Sequence, residues 1–119
     1  MLKRLFLVED SPVIRETMVD MLEDLAHLHV VACSGAEAEA IATMQRTEWD
    51  VALVDLFLKE GSGLGVLRAF RARGNGKLLF VITNYATVEM RRRCQELGAD
   101  GTFDKSTELD QLVDALLAG

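Results

Sequence analysis

What is scarce in this chain narrows its roles. It holds one proline, two cysteines, two histidines and one tryptophan among 119 residues. Cys33 and Cys94 lie far apart with no metal-type spacing, so they read as buried thiols in a reducing compartment. His27 and His29 have no second pair with which to complete a zinc site. Apolar runs such as LFLV at 5–8, VALV at 51–54 and LLFVI at 78–82 are far shorter than the roughly 20 residues a membrane span requires. Met1 leads straight towards the first of these runs, so the chain is expected to be soluble and cytoplasmic, with no membrane contact. Basic residues are in deficit: 13 Lys and Arg against 19 Asp and Glu, a formal net charge of -6. That balance speaks against general nucleic-acid binding, because phosphate contacts need a basic surface.

What is present is a regular alternation of strand and helix signals. Half of the residues, 50%, are apolar, and a chain of this length buries roughly two thirds of its unfolded surface, so residues 1–119 are expected to form one domain. Leu5 to Val8 reads as a strand ending in Glu9 and Asp10, after which Ser11 can cap a helix and Pro12 suits its first position. Ile14, Met18, Met21, Leu22 and Leu25 fall on one face of that helix. Val30 to Cys33 is a second strand, and Ser34-Gly35 opens an alanine-rich helix with Ala40, Ile41 and Met44 inward. Val51 to Val54, bounded by Asp50 and a glycine-rich loop, reads as a central parallel strand buried on both faces, with Asp55 at its carboxyl end. Leu64, Leu67 and Phe70 give a third helix its apolar side, and Gly74-Asn75-Gly76 ends it. A strand from Leu78 to Ile82 stops at Thr83, and a helix covers Val88 to Leu97. A short strand near Thr102 and Phe103 leads to Lys105, and a last helix turns Leu109, Leu112, Val113 and Leu116 inward with Ser106 or Thr107 as its cap. This pattern predicts an α/β domain with a doubly wound, five-stranded parallel sheet.

Polar residues recur at the carboxyl ends of four strands: Glu9 and Asp10, Asp55, Thr83 and Lys105. In open α/β sheets ligands bind at that edge. Three carboxylates in one crevice repel and call for a cation, and an all-oxygen set suits magnesium better than zinc. An aspartate so placed is a usable nucleophile towards a phosphoryl group, with Lys105 and Thr83 as partners for phosphoryl oxygens. Taken singly, each residue has a plainer role as a turn former, strand end or solvated charge; their joint placement favours chemistry. The glycines at 61, 63 and 65 are not a dinucleotide fingerprint, because Val66 stands where a third glycine is needed. The basic runs Arg91-Arg92-Arg93 and Arg68, Arg71, Arg73 read first as solvated helix faces, and second as a docking surface for an acidic partner.

LVEDSP at 7–12, LVDLFLKEGSG at 53–63, VITNYA at 81–86 and GADGTFDKS at 98–106 together resemble the receiver domains of two-component response regulators, and the resemblance runs the length of the chain. It implies a flavodoxin-like sheet of order 2-1-3-4-5. It implies that Asp55 accepts a phosphoryl group from a histidine kinase or phosphotransfer protein and that a downstream effector protein reads the result. It further implies that Asp10, Asp55 and the main-chain carbonyl of Phe57 bind Mg2+, with Glu9 acting mostly through water, while Lys105 and Thr83 contact the acyl phosphate. Such a domain is a signalling switch rather than a turnover enzyme.

The chain departs from the family pattern in places. Thr102 stands where an aromatic usually follows the threonine hydroxyl inward, and Phe103 next to it points the other way. Ser106 replaces the usual proline after the lysine, and Lys59 replaces a common proline after Asp55. Phe57 and Tyr85 occupy the two positions that flank the attacking water in the family, which implies slow loss of the phosphoryl group. Two rival readings remain. One is a docking module that is never phosphorylated. The other is an aspartate-nucleophile phosphohydrolase, which would want a second aspartate at the place of Phe57. With no effector region after Gly119, the chain is read as a stand-alone receiver or as one cut from a longer protein.

Overall fold

The structure, a computed structural model, describes every residue except 1 and 75. Five strands, β1 (Lys3–Val8), β2 (Leu28–Ser34), β3 (Val51–Asp55), β4 (Leu78–Thr83) and β5 (Gly101–Asp104), alternate with α1 (Pro12–Leu25), α2 (Glu37–Arg46), α3 (Gly63–Ala69), α4 (Val88–Glu96) and α5 (Leu109–Ala118). All neighbouring strands pair in parallel, in the order β2-β1-β3-β4-β5. This is the doubly wound parallel sheet expected from the alternation, in the flavodoxin-like order that the resemblance implies.

Successive side chains of a strand point to opposite faces, and the inner strands build two cores in this way. Phe6, Val8, Ala52, Val54, Leu79 and Val81 face α2, α3 and α4, while Leu5, Leu7, Val51, Leu53, Phe80 and Ile82 face α1 and α5. Burial on both faces is why these strands read as unbroken apolar runs. Trp49, to which the sequence assigned no role, is buried below β3. It donates its Nε1–H to the Met44 carbonyl at 3.1 Å and meets the edge of Phe70.

Several boundaries differ from the sequence expectation. Only Met18 and Leu22 of the α1 stripe are fully buried, and Ile14 and Leu25 in its first and last turns stand exposed. Ser34 does not open α2, because the β1–β2 ladder continues through Val8 and Ser34 and the helix begins at Glu37. α3 ends at Ala69 with Phe70 as its C-cap, short of Gly74, and Asn75 lies outside the described residues. Neither Ser106 nor Thr107 caps α5. Their N–H groups are held by Asp104 Oδ1 at 2.7 and 3.2 Å in a turn that precedes the helix, and Glu108 takes the cap position. Ser11 and Pro12 do begin α1 as expected. Cys94 is buried but Cys33 is only half-buried; burial pushes both thiols above their ordinary pKa, against smaller opposing effects of Arg15 on Cys33 and of the Thr102 hydroxyl and Arg93 on Cys94.

Carboxylates also pin the amino edge of the sheet. Asp50 Oδ2 accepts the Arg4 N–H at 2.8 Å, and Arg4 returns its Nε and Nη2 to the same carboxylate. Asp100 likewise accepts the Leu79 N–H at 2.8 Å and pairs with Arg73. The side-chain and main-chain hydrogen bonds from Arg4 hold the Asp50 carboxyl below its ordinary 3.8. A depressed folded value contributes stability above pH 3.8 that is lost as pH falls through it. Asp50→Asn is therefore expected to lower stability to urea at neutral pH, with the difference from the native chain shrinking as the pH falls below 3.8.

Candidate functional site

At the opposite edge the strands end in a crevice between β1 and β3, the point where the order of connection reverses. β1 runs directly into Glu9, whose N–H donates to the Ser34 carbonyl at 2.9 Å. The Glu9 side chain is buried, and its Oε2 accepts the Ser11 N–H at 3.1 Å at the start of α1. Asp55 ends β3, is 5% exposed, and its Oδ1 accepts the Phe57 N–H at 3.2 Å. Asp10 reaches across to the loop after β3, where its Oδ2 accepts the Lys59 N–H at 2.8 Å.

Lys105 closes the crevice. β5 pairs with β4 through Thr83 and Asp104, and the Lys105 N–H donates to the Thr83 carbonyl at 2.9 Å, which sets the side chain over β3. Its Nζ lies 2.8 Å from Glu9 Oε1 and 2.8 Å from Asp55 Oδ2. Burial alone would lower the Lys105 pKa, but the hydrogen bonds and charges of Asp55 and Glu9 outweigh it and raise it above 10.5. A raised value contributes stability throughout the range below 10.5, lost only as pH climbs through the folded value.

One oxygen each from Glu9, Asp10 and Asp55 lie within 4.8 Å of one another. Three carboxylates face one ammonium, so net negative charge remains, and the donors are all oxygen. Such a set fits a hard divalent cation.

Thr83 stands beside this cluster on β4, one residue beyond the register partner of Asp55. It is fully buried, and its Oγ1 accepts the Tyr85 N–H at 3.1 Å. The Phe57 side chain is exposed and meets the exposed Tyr85 ring edge-on, with centroids 5.1 Å apart. The expected residues therefore gather at one edge, with Lys105 bonded to Glu9 and Asp55, Asp10 in the same carboxylate cluster, and Thr83 and Phe57 flanking them.

Two sets of contacts were not legible in the sequence. The main-chain N–H groups of Ser11 and Lys59 orient the acidic side chains, and main-chain donors leave no signature in residue type. Arg91 is also no solvated charge: it donates to the Ala86 carbonyl at 3.0 Å, the Thr102 carbonyl at 2.8 Å and the Glu108 carboxylate. Arg73 is similarly occupied, whereas Arg92 and Arg93 are exposed. Phe103 points away from α4, as its position next to Thr102 implied, and packs on Phe80 with centroids 5.8 Å apart.

Clustered carboxylates oppose folding wherever no cation offsets them. Asp10→Asn keeps an oxygen for the Lys59 N–H while removing one charge. It is expected to raise stability in metal-free buffer by about 1 kcal/mol, read from urea unfolding, at the expense of cation binding.

The sequence matches the family described as "Response regulator receiver domain" over residues 5–117. It is 32% identical over 116 residues to the nitrate/nitrite response regulator protein NarP of Escherichia coli, covering 98% of this chain and 54% of that protein. A two-component response regulator of the LuxR family from Aurantimonas superposes with a TM-score of 0.87 at 29% identity, over 100% of this chain and 87% of that one. The receiver domain of sensor histidine kinase PA1611 from Pseudomonas aeruginosa, solved with a magnesium ion coordinated in its active-site cleft, superposes with a TM-score of 0.79 at 24% identity, over 100% of both chains. The chain spans from about a quarter to about three fifths of the length of the curated relatives it matches. With a family match over nearly its whole length and the acidic crevice in place, the chain belongs to the response regulator receiver domains.

Proposed function

We propose that this domain takes a phosphoryl group onto Asp55 from a phosphohistidine of a histidine kinase or phosphotransfer protein, and thereby changes the face it offers to a downstream effector protein. The observation that carries this reading is the Lys105 ammonium placed 2.8 Å from both Asp55 and Glu9, in a cluster that also holds Asp10. Lys105 and the Phe57 N–H each hold one oxygen of Asp55, so the carboxylate is oriented before it reacts. In the transfer a carboxylate oxygen of Asp55 attacks phosphorus in line. The bond from phosphorus to the donor imidazole nitrogen breaks, and its electron pair stays on that nitrogen.

Lys105 then faces the phosphoryl oxygens. Because Thr83 Oγ1 accepts the Tyr85 N–H, its own proton is available to donate to them. A Mg2+ ion held by Asp10, Asp55 and the Phe57 main-chain carbonyl, with Glu9 acting mostly through water, would neutralise the charge gathered there. The magnesium in the cleft of the Pseudomonas receiver supports that placement. Phe57 supplies no general acid two residues after the nucleophile, which favours a switch over a phosphohydrolase. A net charge of -6 favours protein partners over nucleic acid for this domain, and a histidine-kinase phosphodonor would meet it in the cytoplasm.

Intact mass after incubation with acetyl phosphate tests the reading. One phosphoryl group is expected with Mg2+, none with EDTA, and none in Asp55→Ala. Failure with both acetyl phosphate and a phosphohistidine protein would leave a docking module. The Phe57–Tyr85 pair should also shield the acyl phosphate from water, so Phe57→Asn is expected to shorten its lifetime about fivefold, just under 1 kcal/mol of barrier. An unchanged lifetime would mean that the rings only cover the rim.

A further inference from the structure

The loop Leu56–Ser62 leaves β3 directly after Asp55 and carries two of the groups the site depends on. These are the Phe57 main chain and the Lys59 N–H that holds Asp10. Its own sequence, LFLKEGS, contains nothing that would stiffen it. What holds its far end is Glu37, in the first turn of α2, 25 residues earlier in the chain. Glu37 Oε1 accepts the Ser62 N–H at 2.8 Å, and the Glu37 N–H donates to the Glu60 carbonyl at 3.1 Å. Ser62 in turn bridges Phe57 antiparallel across the loop, so one residue separates Glu37 from the Phe57 backbone.

Two glycines make room for this carboxylate. A Cβ on Gly61, whose φ is +83°, would lie 2.4 Å from the Glu37 Cβ, and a Cβ on Gly65 would lie 2.2 Å from its Cδ and Oε2. The acids that pin the amino edge or cap α5 are different. Asp50, Asp100 and Glu108 each pair with an arginine. Among the described residues no cation pairs with Glu37, and its hydrogen bond goes to the loop main chain.

We infer that Glu37 is a positioning residue for cation binding: it sets the loop after β3 so that the Phe57 main chain and Asp10 face the crevice in a single geometry. This rests on the proposed Mg2+ site. Removing the carboxylate would take away the acceptor of the Ser62 N–H and leave the loop to the weaker set of main-chain contacts at Glu60 and Leu56 and the Lys59 bond to Asp10. The cation would then have to order the Phe57–Ser62 stretch as it binds, which weakens its affinity.

Calorimetric titration of the unphosphorylated chain with Mg2+, together with urea unfolding of each variant, tests this. Glu37→Ala is expected to weaken Mg2+ binding about tenfold, close to 1.4 kcal/mol. Glu37→Gln keeps an oxygen for the Ser62 N–H and is expected to stay within about twofold of the native chain. Gly65→Ala is the second probe. Its clash falls on the far end of the Glu37 side chain, which can swing away without unfolding the domain, and alanine favours the helix. It is expected to weaken Mg2+ binding as Glu37→Ala does while leaving stability intact, and the double variant should be no weaker than either single one. Native affinity in Glu37→Ala or in Gly65→Ala overturns the inference, as does Glu37→Gln binding as weakly as Glu37→Ala. If the native chain itself takes up no Mg2+, the metal site fails and the inference with it. If the native chain binds and Asp10→Asn does not, the metal site stands whatever Glu37 does.

Discussion

An ammonium shared between two buried carboxylates, Lys105 between Glu9 and Asp55, is the contact on which the rest of this site depends. Glu9, Asp10 and Asp55 lie at the ends of adjacent strands, β1 and β3, and without a cation their charges would press that edge of the sheet apart. Lys105 directly follows β5, on the far side of β4, so its reach exists only because β5 is in register with β4 and the Lys105 N–H is fixed to Thr83. The sheet order is thus an electrostatic requirement as well as a packing solution. One ammonium against three carboxylates leaves the crevice short of positive charge, which is the condition a dication or a charge-sensitive switch needs.

The two edges of the sheet use carboxylates in opposite ways. At the amino edge Asp50 takes a two-nitrogen grip from Arg4 and a main-chain N–H, and Asp100 takes one Arg73 nitrogen and the Leu79 N–H, so both carboxylates are committed to holding strands in place. At the carboxyl edge the partner is a lysine, a compact charge on a flexible stem, and it leaves oxygens of Glu9, Asp10 and Asp55 turned towards one another. Glu37 belongs to neither group, since it addresses only main chain. The face between α4 and α5 is tied by a polar brace from Arg91 to Thr102 and Glu108, while the neighbouring aromatic, Phe103, is packed on the other side of the sheet against Phe80.

Much of the fold was legible because burial on both faces writes unbroken apolar strands and burial on one face writes a helical stripe. The five strands, their order of appearance and the Ser11-Pro12 helix start came from such local signals. Local signals failed where a neighbour decided: Ser34 is held in β2 by its pairing with Val8, α5 starts late because Asp104 takes the Ser106 and Thr107 amides, and Ile14 and Leu25 satisfy the periodicity of α1 without being covered. Arg91 read as a surface charge because its acceptors, two carbonyls and a distant glutamate, have no signature in its own stretch.

For this protein the sequence alone determined which residues stand at strand ends, and so that Glu9, Asp10, Asp55, Thr83 and Lys105 would share one edge. Strand ends are set by short-range alternation of apolar and turn-forming residues. Tertiary structure alone decided which carboxylates meet an arginine and which meet a lysine, and which glutamate governs the loop after Asp55. Those outcomes turn on distances between segments 17 to 96 residues apart, and on main-chain donors that every residue type carries alike.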